Sequence, residues 1–466
     1  MRTSFKVLLP LLLLFATPAV MQAQFTFTTN ADGTLTITKY TGLGGDVVIP
    51  ASANGLPITS IGTSAFELAG IGSVTLPDSV TNIENGAFGG SLHSITFGTN
   101  ATTIGFDAFS GCFNLTNVSI PDNVVSLGAG AFSNCSALTN VTIGNGVPNI
   151  GRGTFYQCWY LTNVAIGNGV TNIDEYAFYE CYSLAFLTMG KQVTSIGESG
   201  FWRCFNLLSL TLPDSVLSLG NNAFYDCLSL TNVNFGQGVT SIGGGAFQEC
   251  TNLTSITIPN SVTNLGSAFA GCTSLTNVVL GIGLTSVAQG TFDMCPKLSS
   301  VTLGPNLTSI GIQAFSEAPL TSVIIPSGVT NIGDWAFQLD SSLNGVFFLG
   351  NAPTAPADVF AGGNTAATVY YLPGTTGWGT NFGGLPTAVW LPQIQAADNR
   401  FGVKSNKFGF NINWASGMTV VVEASTNLAN PIWSPVSANT LTSGSSYFSD
   451  PQWTNYPARF YRLRSP

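Results

Sequence analysis

Nine cysteines occupy one register of this chain: Cys112, Cys135, Cys158, Cys181, Cys204, Cys227, Cys250, Cys272 and Cys295, each three residues after a phenylalanine, with no other cysteine anywhere. Thiols at fixed spacing can pair into disulfides, hold a metal, or fill a core as small hydrophobes. In an exported protein regular spacing favours disulfides, and strands stacked about 4.8 Å apart bring Cα atoms near the range a bridge allows. Equivalent side chains in a stack point in parallel, however, and nine is odd. Zinc needs ligands converging from several directions. Buried free thiols are therefore the expectation, with adjacent disulfides as the alternative. Where flanking units lack cysteine, the register holds Ala69, Ser91 and Ala318.

Other reactive chemistry is thin. The chain has one histidine, His93, and no metalloprotease, nucleophile-elbow or phosphate-loop motif. Asp174, Glu175 and Glu180 are close in sequence, so a carboxylate glycosidase on a β-solenoid is a conceivable reading. Nothing nearby supplies the environment of its general acid. The expectation is no catalytic residue, no metal and no cofactor.

Aromatic residues carry a sharper signal. One residue after the repeated phenylalanine stand Tyr156, Tyr179, Trp202 and Tyr225, and one residue after the cysteine stand Trp159, Tyr182 and Phe205. Columns three apart are neighbours on a helical turn, which predicts an aromatic patch over about 153–228. Such a patch is either a recognition surface or a stiffening seam. Beside it runs Gln157, Glu180, Arg203, Asp226, Glu249, which reads as a surface ion ladder.

The elements that position these columns repeat. Phe66, Phe88, Phe109, Phe132, Phe155, Phe178, Phe201, Phe224, Phe247, Phe269, Phe292, Phe315, Phe337 and Phe360 recur every 21 to 23 residues, a period that marks a solenoid. From Cys112 one unit runs through Leu115, Val118, Ile120, Pro121, Val124, Leu127, Gly128 and Phe132 to the next start at Cys135. Val118 and Ile120 share one face of a short strand, and Ala131 to Cys135 suit a short helical turn on the opposite wall. The expected fold is a β-rich solenoid of about 14 units with short parallel strands and short helical turns. Residues between the core positions, such as Asn117, Ser119, Asn140 and Thr142, form a neutral outer face.

The unit C-x-x-L-T-x-V-x-I-P-x-x-V-T-x-I-G-x-x-A-F resembles the BspA-type leucine-rich repeats of bacterial surface and secreted proteins, over roughly 55–360. Residues 25–60, with Phe25, Phe27, Leu35 and Ile37, resemble the degenerate first repeat that caps such arrays. The resemblance implies a binding scaffold, in some members an adhesin, and no catalytic residues.

Composition fits this reading. Of 466 residues 45% are hydrophobic and only 8% charged, yet after the first few dozen positions no run reaches the about 20 apolar residues of a membrane span. Net charge is −9 with 13 Lys plus Arg, which argues against nucleic-acid binding. Residues 1–23, with Arg2, Lys6 and the apolar run Val7 to Phe15, read as a signal peptide cleaved after Ala23. Beyond it we expect a cap at 24–60, the solenoid at 61–372, a linker at 373–392 and a small all-β sandwich at 393–466. The last resembles fibronectin type III-like or immunoglobulin-like modules through W-A-S-G-M-T-V-V-V-E-A-S-T-N-L and R-F-Y-R-L-R. It holds six Lys/Arg against three Asp/Glu, while 24–392 holds five against 19, so an envelope contact through this module is a further expectation. The function expected is secreted or cell-surface recognition of an extracellular protein or polysaccharide, with a purely structural surface component as the second reading.

Overall fold

The computed structural model describes residues 24–90 and 92–464, so the expected signal peptide and Ser91 of the cysteine register lie outside the described residues. The chain forms two compact units, 1–275 and 276–466, and both contain turns of a β-solenoid, about 15 in the chain.

In the first unit each turn contributes two short parallel strands. Asn117–Ile120, Asn140–Ile143, Asn163–Ala165 and Phe186–Thr188 pair side by side without a register shift. Their alternation puts Asn117 and Ser119 outside and Val118 and Ile120 inside, as a period of two requires. A second wall is made of two-residue strands, among them Asn149–Ile150, Asn172–Ile173, Ser195–Ile196 and Ser218–Leu219. At the start of the unit Phe25–Thr29 pairs antiparallel with Leu35–Tyr40, which in turn runs parallel to Leu56–Ile61. The Tyr40 ring there stacks on Phe66 at 5.2 Å.

The helical turn expected at Ala131 to Cys135 is not a helix. Ser133 N donates to Gly130 O at 2.8 Å and Cys135 N to Phe132 O at 3.4 Å, both three residues back. The alternate amides leave the turn altogether: Phe132 N donates to Thr154 O at 2.9 Å and Asn134 N to Tyr156 O at 2.7 Å, in the next turn of the stack. Left-handed backbone at Gly130 (φ 66°) and Asn134 (φ 57°) rotates the peptides into that alternation. A true helix would need every amide for bonds four residues back.

Inside, the repeated phenylalanines form a continuous column. From Phe66 to Phe269 neighbouring rings lie 4.8 to 5.5 Å apart and nearly parallel. The nine cysteines are buried and unbridged. Cys135, Cys158 and Cys181 each donate Sγ–H to a phenylalanine carbonyl of an earlier turn at 3.2 Å, so the thiols are small core groups with a satisfied weak donor. Burial pushes the Cys158, Cys181 and Cys204 thiols far above their usual range.

In the second unit Ser322–Ile325, Gly345–Phe348, Thr368–Tyr371 and Leu385–Val389 extend one parallel sheet. The stretch 373–392 is thus no mere linker: Leu385–Val389 is a strand, with Leu385 buried against the core. Its Gly, Pro and Thr content hid that strand from a periodicity reading. The register three residues after Phe337 holds Asp340, only 1% exposed. One Asp340 oxygen accepts the Ser342 amide at 3.2 Å and the other is buried without a partner. Burial raises its pKa to about 7, against smaller opposing effects of backbone hydrogen bonds.

Two antiparallel sheets end the unit. Lys407–Asn413 is paired by Gln393–Gln395, Gly402–Lys404 and Ser445–Asp450, and Thr419–Ser425 by Ser434–Thr440 and Phe460–Arg464. Phe410, Ile412 and Phe448 from one sheet meet Val420 and Val422 from the other, with Leu372 in the same core. The basic excess is partly spent within the module. Arg459 pairs with Asp450 at 3.1 Å, and Arg462 and Arg464 with Glu423 at 2.7 and 3.0 Å.

Candidate functional site

The aromatic residues of the first unit sit on the turn wall, where the backbone alternation fixes their direction. In one turn Tyr176 (φ 58°) and Glu180 (φ 57°) are left-handed. Phe178 N donates to Gly200 O and Glu180 N to Trp202 O of the next turn, at 2.7 and 2.8 Å. Phe178 points into the core and Tyr179, beside it, is half-buried at the surface. Since each turn repeats this geometry, equivalent side chains must stack.

They form two ladders. Tyr156, Tyr179, Trp202 and Tyr225 are one, with centroids 5.0, 6.0 and 4.1 Å apart and interplanar angles of 6°, 23° and 16°. Tyr182 and Phe205 are a second, 5.0 Å apart. Trp159 is 44% exposed and has no ring contact with either ladder among the described residues. Burial, aided by the charge of Glu180, raises the Tyr156 and Tyr179 pKa values above the usual phenol range, so both hydroxyls stay protonated donors. In the adjoining column Gln157 donates to Glu180 at 2.9 Å, and Arg203 lies between Glu180 and Asp226, 3.4 Å from each.

A cleft of about 490 Å³ opens beside the first ladder, lined by Phe106, Arg152, Tyr156, Tyr176 and Tyr179. Its floor comes from the left-handed position two residues before each phenylalanine. That position is Asp107, then Gly130 and Gly153, then Tyr176, all at positive φ. Both glycines line the cleft, the Asp107 carboxylate reaching over Gly130 while the space at Gly153 stays open, with Phe106, 54% exposed, toward one end and Tyr176 at the other. Arg152 lies over the Tyr176 ring at 5.1 Å and pairs with Glu175 at 3.1 Å. Phe106, Arg152 and Tyr176 stand outside the aromatic columns that the sequence makes conspicuous. The paired glycines of one column, visible in the sequence, were the signal that could have found them.

The three carboxylates do not converge. Asp174 accepts from Asn149 at 2.7 Å and from Asn172, Glu175 is held by Arg152, and Glu180 by Gln157 and Arg203. His93 is exposed. Among the described residues no three His, Cys, Asp or Glu side chains are grouped to hold a metal. On the outer strand face the amides satisfy one another: Asn140 donates to Asn117 at 2.8 Å and Asn163 to Asn140 at 2.7 Å.

The chain matches the family model of the BspA type leucine rich repeat region in six copies, over 59–185, 148–273 and 266–378. Among solved structures it is similar to a leucine-rich repeat protein of Bacteroides ovatus, 23% identical over 75% of this chain and 94% of that one, with a TM-score of 0.56. That likeness is one of fold. A leucine rich cell surface protein of Faecalibacterium prausnitzii is 28% identical over 75% and 93% of the two chains, with a TM-score of 0.44. The pneumococcal vaccine antigen PcpA is 19% identical over 75% and 92%, with a TM-score of 0.38. No curated protein matches the chain.

Proposed function

For a chain that belongs to the BspA-type leucine-rich repeat family, we propose a non-enzymatic, adhesin-like role: recognition of an extracellular protein, by a secreted or surface-held molecule, on the wall formed by the aromatic ladder and its cleft. One observation carries this reading. Within the ladder each ring covers its neighbour's face, but the step before Tyr156 is Ser133, and both residues line the cleft. The stack therefore stops at a ring bordered by a hollow with a two-glycine floor. An aromatic or aliphatic side chain of a partner, seated there, would continue the stack at about 5 Å. The surrounding charges, Arg152 with Glu175 and Arg203 with Glu180 and Asp226, give the apolar centre and polar rim of a protein interface.

The test is a pull-down from extracellular proteins together with a glycan array, using the wild type, Tyr156→Ala/Tyr179→Ala and Tyr179→Ala/Trp202→Ala. A protein ligand weakened at least about tenfold by both double variants, the loss of one anchoring contact, supports the proposal. A glycan lost in both would assign the wall to a polysaccharide instead. A protein ligand held equally by all three chains would make the ladder a stiffening seam, and cleavage of a sugar would overturn the non-enzymatic reading.

A further inference from the structure

A different aromatic cluster lies in the second unit and shares no residue with the wall just described. On the outer strand column, where preceding turns of this unit place Asn277, Ser300 and Ser322, the next turn has Gly345. The missing side chain matters: a Cβ at 345 would stand 2.9 Å from the Phe347 ring and 3.3 Å from the Tyr370 ring. Phe347 and Tyr370 are register partners, and their rings stack 5.0 Å apart at 10°. Trp390 leans on Phe347 at 4.7 Å and 51°. Tyr370's next register partner is Ala388, so no ring continues the stack on that side. Trp390 is fixed through its backbone, its amide donating to Tyr371 O at 2.6 Å and its carbonyl accepting the Trp414 indole N–H at 3.0 Å.

These rings floor a hollow of about 690 Å³ whose rim carries the amides of Asn344, Gln393, Gln395 and Asn413. Gln393 and Gln395 are set in register against Asn413 and Asn411. Among the described residues none of the four rim side-chain amides has a hydrogen-bond partner in the protein, and Asn344, Gln393 and Asn413 are exposed. The outer-face amides Asn117, Asn140 and Asn163, by contrast, are joined in a ladder. No acidic or basic side chain lines the hollow.

We propose that this hollow is a binding site for a neutral saccharide. The ligand must offer an apolar face to the rings and, around its edge, groups that both donate and accept hydrogen bonds. A primary amide presents two donors and an acceptor, and a hydroxyl presents one donor and two lone pairs, so neighbouring sugar hydroxyls match the rim while the C–H face of a pyranose lies on Phe347, Tyr370 and Trp390. The uncharged lining gives a phosphorylated, sulfated or uronic ligand no counter-charge.

The experiment uses the full chain against maltoheptaose, cellohexaose, mannohexaose and xylohexaose, with polygalacturonate as the anionic control and a proline-rich peptide as the competing class. Tryptophan fluorescence and calorimetry read binding. The variants are Gln393→Ala/Gln395→Ala, whose side chains project from the rim, Tyr370→Ala, and Gly345→Ser, which restores the column residue and displaces the rings; circular dichroism confirms their folding. Binding of at least one neutral oligosaccharide, weakened tenfold or more in all three and unchanged in Tyr156→Ala/Tyr179→Ala, supports the site. Failure of every neutral glycan, equal binding by the Gln393→Ala/Gln395→Ala variant, a preference for polygalacturonate, or capture of the peptide at these residues would each overturn it. The protein-binding reading of the first wall stands or falls separately, on its own variants.

Discussion

Asp340 occupies the register filled elsewhere by cysteine, and its carboxyl sits where a thiol would. Its pKa of about 7 in the fold, against an ordinary 3.8, makes the stability of the surrounding turns depend on pH. The sign follows from proton counting. Between about pH 4 and pH 7 the unfolded chain has released this proton while the fold still holds it, so stability is greatest below the unfolded pKa, falls as pH rises, and levels off above the folded pKa. A rise of about three pH units corresponds to a ceiling of roughly 4 kcal/mol at about 1.4 kcal/mol per unit. Local relaxation around the buried oxygen lowers the observable share to the order of 2 kcal/mol. Asp340→Asn keeps the shape and removes the charge, so it should be near neutral at pH 4.5 and stabilising by that amount at pH 8. Because solenoid turns open locally, the assay is amide exchange of Gly345–Phe348, expressed as protection at each pH, alongside urea unfolding. Protection should fall from pH 4.5 to 8 in the wild type relative to Asp340→Asn. Parallel pH profiles for the two chains would refute the assignment of a buried, proton-holding carboxyl.

Three further outcomes follow from the packing. Iodoacetamide at pH 8 should leave the nine buried thiols of the native chain unmodified and alkylate all of them in guanidinium; rapid native labelling, or an intact mass short of two hydrogens per pair, would contradict the thiol column. Phe201→Ala removes a ring stacked at 4.9 Å on Phe178 and 5.1 Å on Phe224. It should cost about 3–5 kcal/mol, and a denaturation shift worth under about 1 kcal/mol would mean that the column is not the main core. Gly220→Ala would place a methyl 2.6 Å from both Glu198 N and Gly197 C of the preceding turn. It should destabilise by about 1–3 kcal/mol through forced separation of turns, which an unchanged melting temperature would disprove.

Much of the solenoid was legible because its period is set by packing that every turn repeats. Val118 and Ile120, two apart, announce a strand with one buried face, and Phe109, Phe132 and Phe155, about 23 apart, announce a column. What stayed hidden depends on contacts between turns. The second strand, such as Asn172–Ile173, is two residues long, too short for any alternation to show. The turn at Ala131 to Cys135 has apolar residues at helical spacing, yet its amides are divided between its own carbonyls and those of the next turn. Spacing along the chain cannot report that division.

The same limit governs the sites. Tyr156, Tyr179, Trp202 and Tyr225 are legible in the sequence because bulky side chains in one register are conspicuous. Gly130, Gly153 and Gly345 are not, because glycine contributes nothing to a hydrophobic pattern. Both hollows described above open where a register has lost its side chain. Gly130 and Gly153 open the floor beside Tyr156, and Gly345 clears the ground for Phe347 and Tyr370. The chemistry of each then follows from what borders the gap. The Arg152–Glu175 pair beside the first hollow suits a protein surface, and unpaired side-chain amides around the second suit hydroxyls. In this chain a glycine that replaces a larger residue beside aromatic neighbours in adjacent turns marks each of the two hollows proposed to bind a ligand, which the aromatic residues alone do not.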